Sequence, residues 1–258
     1  MSVALEEIAR HANALLRTAE IPDYPNAING VQVSHRGPVR ALASAVDASE
    51  RTIRAAAALG ANLLVVHHGL FWQGVQPITA MSYDRMRLLF EHDMAVYSAH
   101  LPLDAHEALG NSRLLADTLG LTVSGGFATF QGVACGVRGE RDIATADLLA
   151  SVDAFARSHG GQAIASAMTP ARRTRRWAIC SGAGAGSGTL AEAQALGIDT
   201  LIVGEGPHWT AVDAPERGLT IIYAGHYATE TLGVRALSAV LAERFALPHH
   251  AIDAPTGL

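Results

Sequence analysis

Apolar residues Leu5, Ile8, Ala12, Leu15, Leu16 and Ala19 recur at three- and four-residue spacing, which predicts a helix with one apolar face. The stretch IPDYPNAING, with Pro22 and Pro25, ends it. Short apolar runs then alternate with amphipathic ones. VRALASAVD reads as a strand ending at Asp47. Ser49 opens the helix SERTIRAAAAL and Gly60 closes it. NLLVV is the next strand and delivers His67 and His68. The helix YDRMRLLFEH, the strand MAVYSA ending at His100, and the helix NSRLLADTLG follow. Strands alternating with helices of this length predict βαβ units and a mainly parallel sheet.

VSGGF at 123–127 reads as a seam. Beyond it come a strand near FQGVACGV, a helix from Thr145 to Ser158 and a polar run containing RRTRR. The strand WAICSG leads into the glycine loop GAGAGSG, and the strands DTLIVGE and LTIIYAG flank a short helix near Trp209. TETLGVRALSAVLAERF closes the chain as a helix. The pattern predicts an α/β protein of two α/β domains, residues 1–124 rejoined by 219–258 and residues 125–218. No solenoid period is present.

Composition narrows the class. Hydrophobic residues make up 49% and charged ones 17%, so the chain can bury a core and is not disordered. A net charge of −5 excludes a global basic field for nucleic acid. Cys135 and Cys180 lack a CxxC partner, which argues against a thiolate zinc site and fits a reducing compartment. Glu6 and Glu7 stand where a secretory signal would carry positive charge, and no apolar window is long enough for a membrane span. A cytoplasmic protein with no membrane partner is expected.

Four apolar runs end in groups able to bind metal or move protons. LLVV ends in His67 and His68. AVYSA ends in His100, with Asp104 and His106 behind it. TLIVG ends in Glu205, followed by His208. TIIYAG ends in His226, with Glu230 four residues on. In open parallel sheets ligands collect beyond the carboxyl ends of strands. Imidazole and carboxylate without thiolate suit Zn, Mn, Fe, Ni or Co. Two histidines on a loop just after a strand can splay toward two ions, and Asp104 can bridge them. His226 and Glu230 fall one helical turn apart if the helix starts early. Five side chains do not saturate two ions, so positions remain for water, and a bridging hydroxide of lowered pKa is the expected nucleophile.

Each feature alone has a plainer reading. Paired histidines can be structural, HxxxE is commonly a helix-surface contact, and Asp104 is a natural cap. Their coincidence at strand ends makes the case for metal. His100, Glu205 and His208 read as outer groups that orient a ligand or carry protons. His11, His92, His159, His249 and His250 read as solvated. The glycine loop lacks the third glycine of a dinucleotide fingerprint, which is Ser187, and the lysine of a P-loop. RRTRR reads as a solvated loop.

Together the stretches NGVQV (29–33), VVHHGLFW (65–72), SAHLPLDAH (98–106), LIVGEGPHW (201–209) and GHYATE (225–230) resemble one family, the NIF-three-like dinuclear metal-centre proteins labelled GTP cyclohydrolase I type 2 homologues, in their short bacterial form. The resemblance implies two α/β domains and a toroidal homohexamer with metal pairs facing an internal cavity. It assigns metal ligation to His67, His68, Asp104, His226 and Glu230, the same five chosen by spacing, and places Glu205 and His208 near the metals, where the hydrolase reading makes them proton carriers. Many members have proline after the paired histidines where this chain has Gly69, which frees the loop. A metal-dependent hydrolase acting on a small molecule such as a purine nucleotide is the leading functional expectation. A non-catalytic metal-handling or adaptor ring, and a nucleic-acid-associated ring using RRTRR, are the alternatives. The acidic total weighs against the last.

Overall fold

Leu63 to Val66 form an unbroken apolar run because both faces of their strand are covered, each residue being almost wholly buried. In the computed structural model, which describes residues 3–258, the elements run β1 (Val3–Ala4), α1 (Leu5–Leu16), β2 (Gly30–Val33), β3 (Pro38–Val39), β4 (Leu42–Asp47), α2 (Glu50–Ala58), β5 (Leu63–His68), α3 (Ala80–Glu91), β6 (Ala95–Ser98) and α4 (Leu101–Asp104). They continue with α5 (Asn111–Thr118), β7 (Val123–Phe130), β8 (Val133–Ala144), α6 (Thr145–Ser158), β9 (Ile164–Ala165), β10 (Arg173–Cys180), α7 (Ser187–Ala195), β11 (Thr200–Val203), α8 (His208–Glu216), β12 (Thr220–Tyr223), α9 (His226–Phe245) and β13 (His249–Ala251). Among the described residues no helix is long and apolar enough to cross a membrane.

The chain divides into two compact units. One is the chain up to Leu103 with Gly233–Ala254, the other Asp104–Leu232 with Pro255–Leu258. The sequence pattern places the boundaries at 124/125 and 218/219. The first boundary falls earlier, because Leu115, Ala116 and Leu121 are buried in one core with Trp177 of β10, and the second falls later, because Ile222, Ala224 and Ala228 belong to that same core. VSGGF is likewise a strand, β7, joined to β8 by a tight hairpin in which Gln131 and Gly132 both take positive φ.

The first unit holds a five-stranded sheet of order β13-β4-β5-β6-β2, parallel except where β2 runs against β6. Its α2 begins with a capping box in which the Ser49 hydroxyl accepts from Thr52 N–H. Ile53 and Ala56 of α2 and Leu88 and Leu89 of α3 pack with Leu64, Val66 and Val96 of the sheet.

The second unit holds a six-stranded sheet of order β7-β8-β10-β11-β12-β9. Only the β10–β11 and β11–β12 pairs are parallel, so the expectation of a mainly parallel sheet is met in the first unit and corrected to a mixed sheet here. Alternate residues feed opposite cores, as strand geometry requires. Trp177, Ile179, Ile202 and Ile222 meet Leu148, Val152 and Phe155 of α6. Ala178, Leu201, Val203 and Ile221 meet Leu190 and Ala193 of α7 and Ala214 of α8.

Trp177 is fully buried and stands opposite Gly139 of β8. A Cβ on Gly139 would lie 2.5 Å from the indole, so the glycine makes room for the ring. Trp177→Ala should therefore leave a large void and lower stability by about 3–5 kcal/mol, read as a fall in the urea midpoint at unchanged slope.

Candidate metal centre

His67 and His68 are the last two residues of β5, and His68 stands opposite Asp47 in the β4–β5 register. The expected loop placement is corrected accordingly. Neighbouring strand residues point to opposite faces, yet these two ring centroids lie 4.9 Å apart. The β5–β6 ladder stops at Val66–Ser98, and beyond it the strand end can twist.

The surroundings of each ring fix its tautomer. His67, fully buried, donates from Nδ1 to the Ala99 carbonyl at 2.8 Å. His68 Nδ1 meets Asp47 Oδ1 at 2.9 Å, and His100 Nδ1 meets Asp23 Oδ1 at 2.8 Å. A carbonyl or carboxylate can only accept, so the proton of the neutral ring sits on Nδ1 and Nε2 carries the lone pair. His67, His68 and His100 each offer a ring nitrogen within 4.8 Å of the others. Trp72 packs edgewise over the group, 4.6 Å from His100 and 5.6 Å from His68 between ring centroids.

Gly69 is held more firmly than its type suggests. Gln32 Oε1 accepts from Leu70 N–H at 2.7 Å, while its amide donates to the Ala27 and Ile28 carbonyls at 3.0 Å each. A Cβ on Gly69 would overlap the Gln32 amide at 2.1 Å.

The sequence alone does not single out Asp23. Its carboxylate accepts from His100, from Asn29 at 2.8 Å, and from the N–H groups of Tyr24 at 2.7 Å and Leu101 at 2.9 Å. Burial pushes its pKa up, but the hydrogen bonds outweigh burial and hold it below the ordinary 3.8. A carboxyl depressed on folding contributes stability above its unfolded pKa and loses it as pH falls through the folded one. Asp23→Asn should therefore unfold more readily than wild type at pH 7, the gap closing below pH 3.8. Thermal melts across that range check it.

In the second unit, α9 starts at His226, so His226 and Glu230 share its first turns as the spacing predicts. His226 Nδ1 lies 2.8 Å from Glu205 Oε1, and its Nε2 lies 3.1 Å from Glu230 Oε2. Burial lowers the His226 pKa, but the two carboxylates overcome this and raise it to about 9. Glu230 is 3% exposed, whereas the Glu205 side chain is 45% exposed. Asp104, the last residue of α4, accepts from Asn111 at 2.9 Å. His208, the first residue of α8, is exposed.

The glycine loop serves this same place. Gly182, at φ +62, would set a Cβ 2.1 Å from Glu230 Oε1 and 3.3 Å from His226 Nε2. Its N–H donates to Thr229 Oγ1 at 3.0 Å. A Cβ on Gly204 would lie 2.8 Å from the His226 Cα. The loop thus admits the His226–Glu230 pair, a role that motif comparison alone does not suggest. Cys180 nearby stays a thiol, its pKa raised by burial and then by the charges of Asp104 and Glu230.

RRTRR lies largely in β10 and is not a loop. Arg173 pairs with Asp142 at 2.5 Å and Arg176 with Glu140 at 3.6 Å, while Arg172 donates to the Asp199 and Gly218 carbonyls. Local groups thus engage three of its four cations. Two histidines expected in solvent are also partly built in: His249 meets Ser44 Oγ at 3.0 Å, and His159 meets the Phe155 carbonyl at 2.9 Å.

Histidines whose Nδ1 is held by a carbonyl or carboxylate, set among further carboxylates and without thiolate, match the donor chemistry of borderline divalent cations. Similarity to known proteins extends over nearly the whole of the described chain. The model of a family described as Duf34/NIF3 (NGG1p interacting factor 3) matches residues 3–256. A protein of Halobacterium salinarum named GTP cyclohydrolase 1 type 2 homolog is 40% identical over 98% of this chain and 99% of its own. A Deinococcus radiodurans protein of the same name is 38% identical over 99% and 95%. The solved structure of the protein ybgI superposes with a TM-score of 0.88 at 34% identity, covering 99% of this chain and all of its own.

Proposed function

Because the chain belongs to the Duf34/NIF3 (NGG1p interacting factor 3) family, we propose that it is a metal-dependent hydrolase in which His67, His68, Asp104, His226 and Glu230 hold two divalent cations. The observation that carries this reading is the common state of the three imidazoles. Each has Nδ1 engaged by a carbonyl or carboxylate, which puts the lone pair on Nε2 of His67 and His68, whereas His226 Nε2 faces Glu230 and would give up a proton to ligate. Cations bound there supply Lewis acidity that polarises the substrate and acidifies water.

The chain's own groups do the rest. Asp47 and the Ala99 carbonyl keep the protons of His68 and His67 on Nδ1 and so hold both rings in orientation. Glu205 holds the His226 Nδ1 proton and, being half open to solvent, can pass protons to and from water. His208 is the second proton carrier. The name shared by the relatives makes purine nucleotides such as GTP, opened at the imidazole ring, the first substrates to assay.

Protein purified without chelator or affinity metal should carry about two divalent ions per chain by elemental analysis and turn over a nucleotide, and Asp104→Ala should lose both. Full metal content without turnover on nucleotides, cyclic amides and phosphoesters would replace the hydrolase with a metal-handling ring. The assembly proposed is a toroidal homohexamer, testable by native mass spectrometry.

A further inference from the structure

A cavity of about 460 Å³ lies within the first unit and has His68 and Asp47 in its wall. That volume is in the range of small-molecule sites. The rest of the wall is chemically mixed. Leu70, Trp72, Ile78 and Met86 supply an apolar lining, and Arg85 of α3 supplies a cation. Arg85 differs from its neighbour Arg87, which pairs with Glu91 at 2.7 Å. Among the described residues Arg85 bonds only to the Met81 sulfur, at 3.4 Å, and its Nε is buried with no hydrogen-bond partner. A guanidinium that no carboxylate pairs with among the described residues, beside the apolar part of this wall, is poised for a ligand's anionic group.

We propose that this cavity is the substrate pocket of the histidine site, and that it takes a small aromatic anion whose ring lies against Trp72 and the apolar wall and whose carboxylate or phosphate pairs with Arg85. Trp72 and His68 pack edge to face and both line the cavity, so a ring seated against Trp72 lies beside one of the proposed ligands. The methionines Met81 and Met86 can adjust to ring shape. The substrate class rests on the hydrolase reading, whereas binding of the anion does not require it.

The test is isothermal titration of metal-free and metal-loaded protein with benzoate, indole-3-carboxylate and phenyl phosphate, and with indole as the uncharged control. The anions should bind and indole should bind more weakly. The carboxylate and phosphate arms identify which group Arg85 prefers. Arg85→Gln should weaken the anions about tenfold or more and leave indole unchanged, while Arg85→Lys recovers part of the loss. Met81→Trp, at an exposed position on the rim, should block all of them. Equal binding of indole and the anions, or anion binding indifferent to both Arg85→Gln and Met81→Trp, overturns the pocket. Anion binding that behaves as expected in a protein without turnover keeps the pocket and removes the hydrolase. Turnover that Arg85→Gln does not alter, with no probe bound, does the reverse.

Discussion

Glu230→Gln should weaken divalent-metal binding at the proposed centre more than about a hundredfold while leaving both sheets folded. The substitution keeps the shape of the side chain and removes only its charge. Glu230 is 3% exposed, so no water shell takes over from the missing carboxylate. Its oxygen lies 3.1 Å from His226 Nε2, so the same change also removes one of the two acids that raise the His226 pKa to about 9. That pKa should move back down toward the ordinary 6.5, since burial then has one fewer opponent. Losing a charged ligand should cost more than the 10–100-fold typical of an outer partner, so affinity should fall more than about a hundredfold. Competition against a chromophoric chelator measures it, with circular dichroism as the check on folding. Wild-type affinity in a folded Glu230→Gln variant would remove the residue from the proposed centre.

Gly182→Ala should have the next largest effect, although no functional atom is changed. The new methyl would stand 2.1 Å from Glu230 Oε1, and φ at this position is +62. The left-handed backbone alone costs about 1–2 kcal/mol for a residue with a Cβ. The steric overlap must be relieved by moving Glu230, and displacement of a ligand should lower metal affinity about 10–100-fold. Gly188→Ala supplies the control, because a Cβ there meets nothing and the residue lies in α7. Equal affinities in the two variants would mean that the glycine loop is only a turn.

The positions of the candidate donors were legible because they sit where strands stop. The apolar runs located β5, β11 and β12, and each leads directly into a candidate donor. Placing His226 and Glu230 on one helical turn required only their spacing, and α9 does start at His226. The partners of the imidazoles were not legible. Asp23 lies 77 residues from His100, in a proline-rich stretch that looks like a linker, and nothing local signals its four hydrogen bonds. Asp47 had a fair signal, being the polar end of a strand, but its meaning depends on the β4–β5 register that sets it opposite His68. The boundary between the units was obscured by the glycines of VSGGF, which look like a break yet are part of β7. Gly182 invites comparison with nucleotide-binding motifs, whereas its reason lies in what occupies the missing Cβ.

The same logic applies at Gly69. Gln32 fills the space where any side chain on residue 69 would go, and it fastens the backbone after the twin histidines by three hydrogen bonds. A proline placed at residue 69 would need that space. Gly69→Pro should therefore displace the Gln32 side chain and release the Leu70 N–H that it holds. The glycine and the glutamine thus work as one unit: the loop is anchored through a side chain that only the missing Cβ admits.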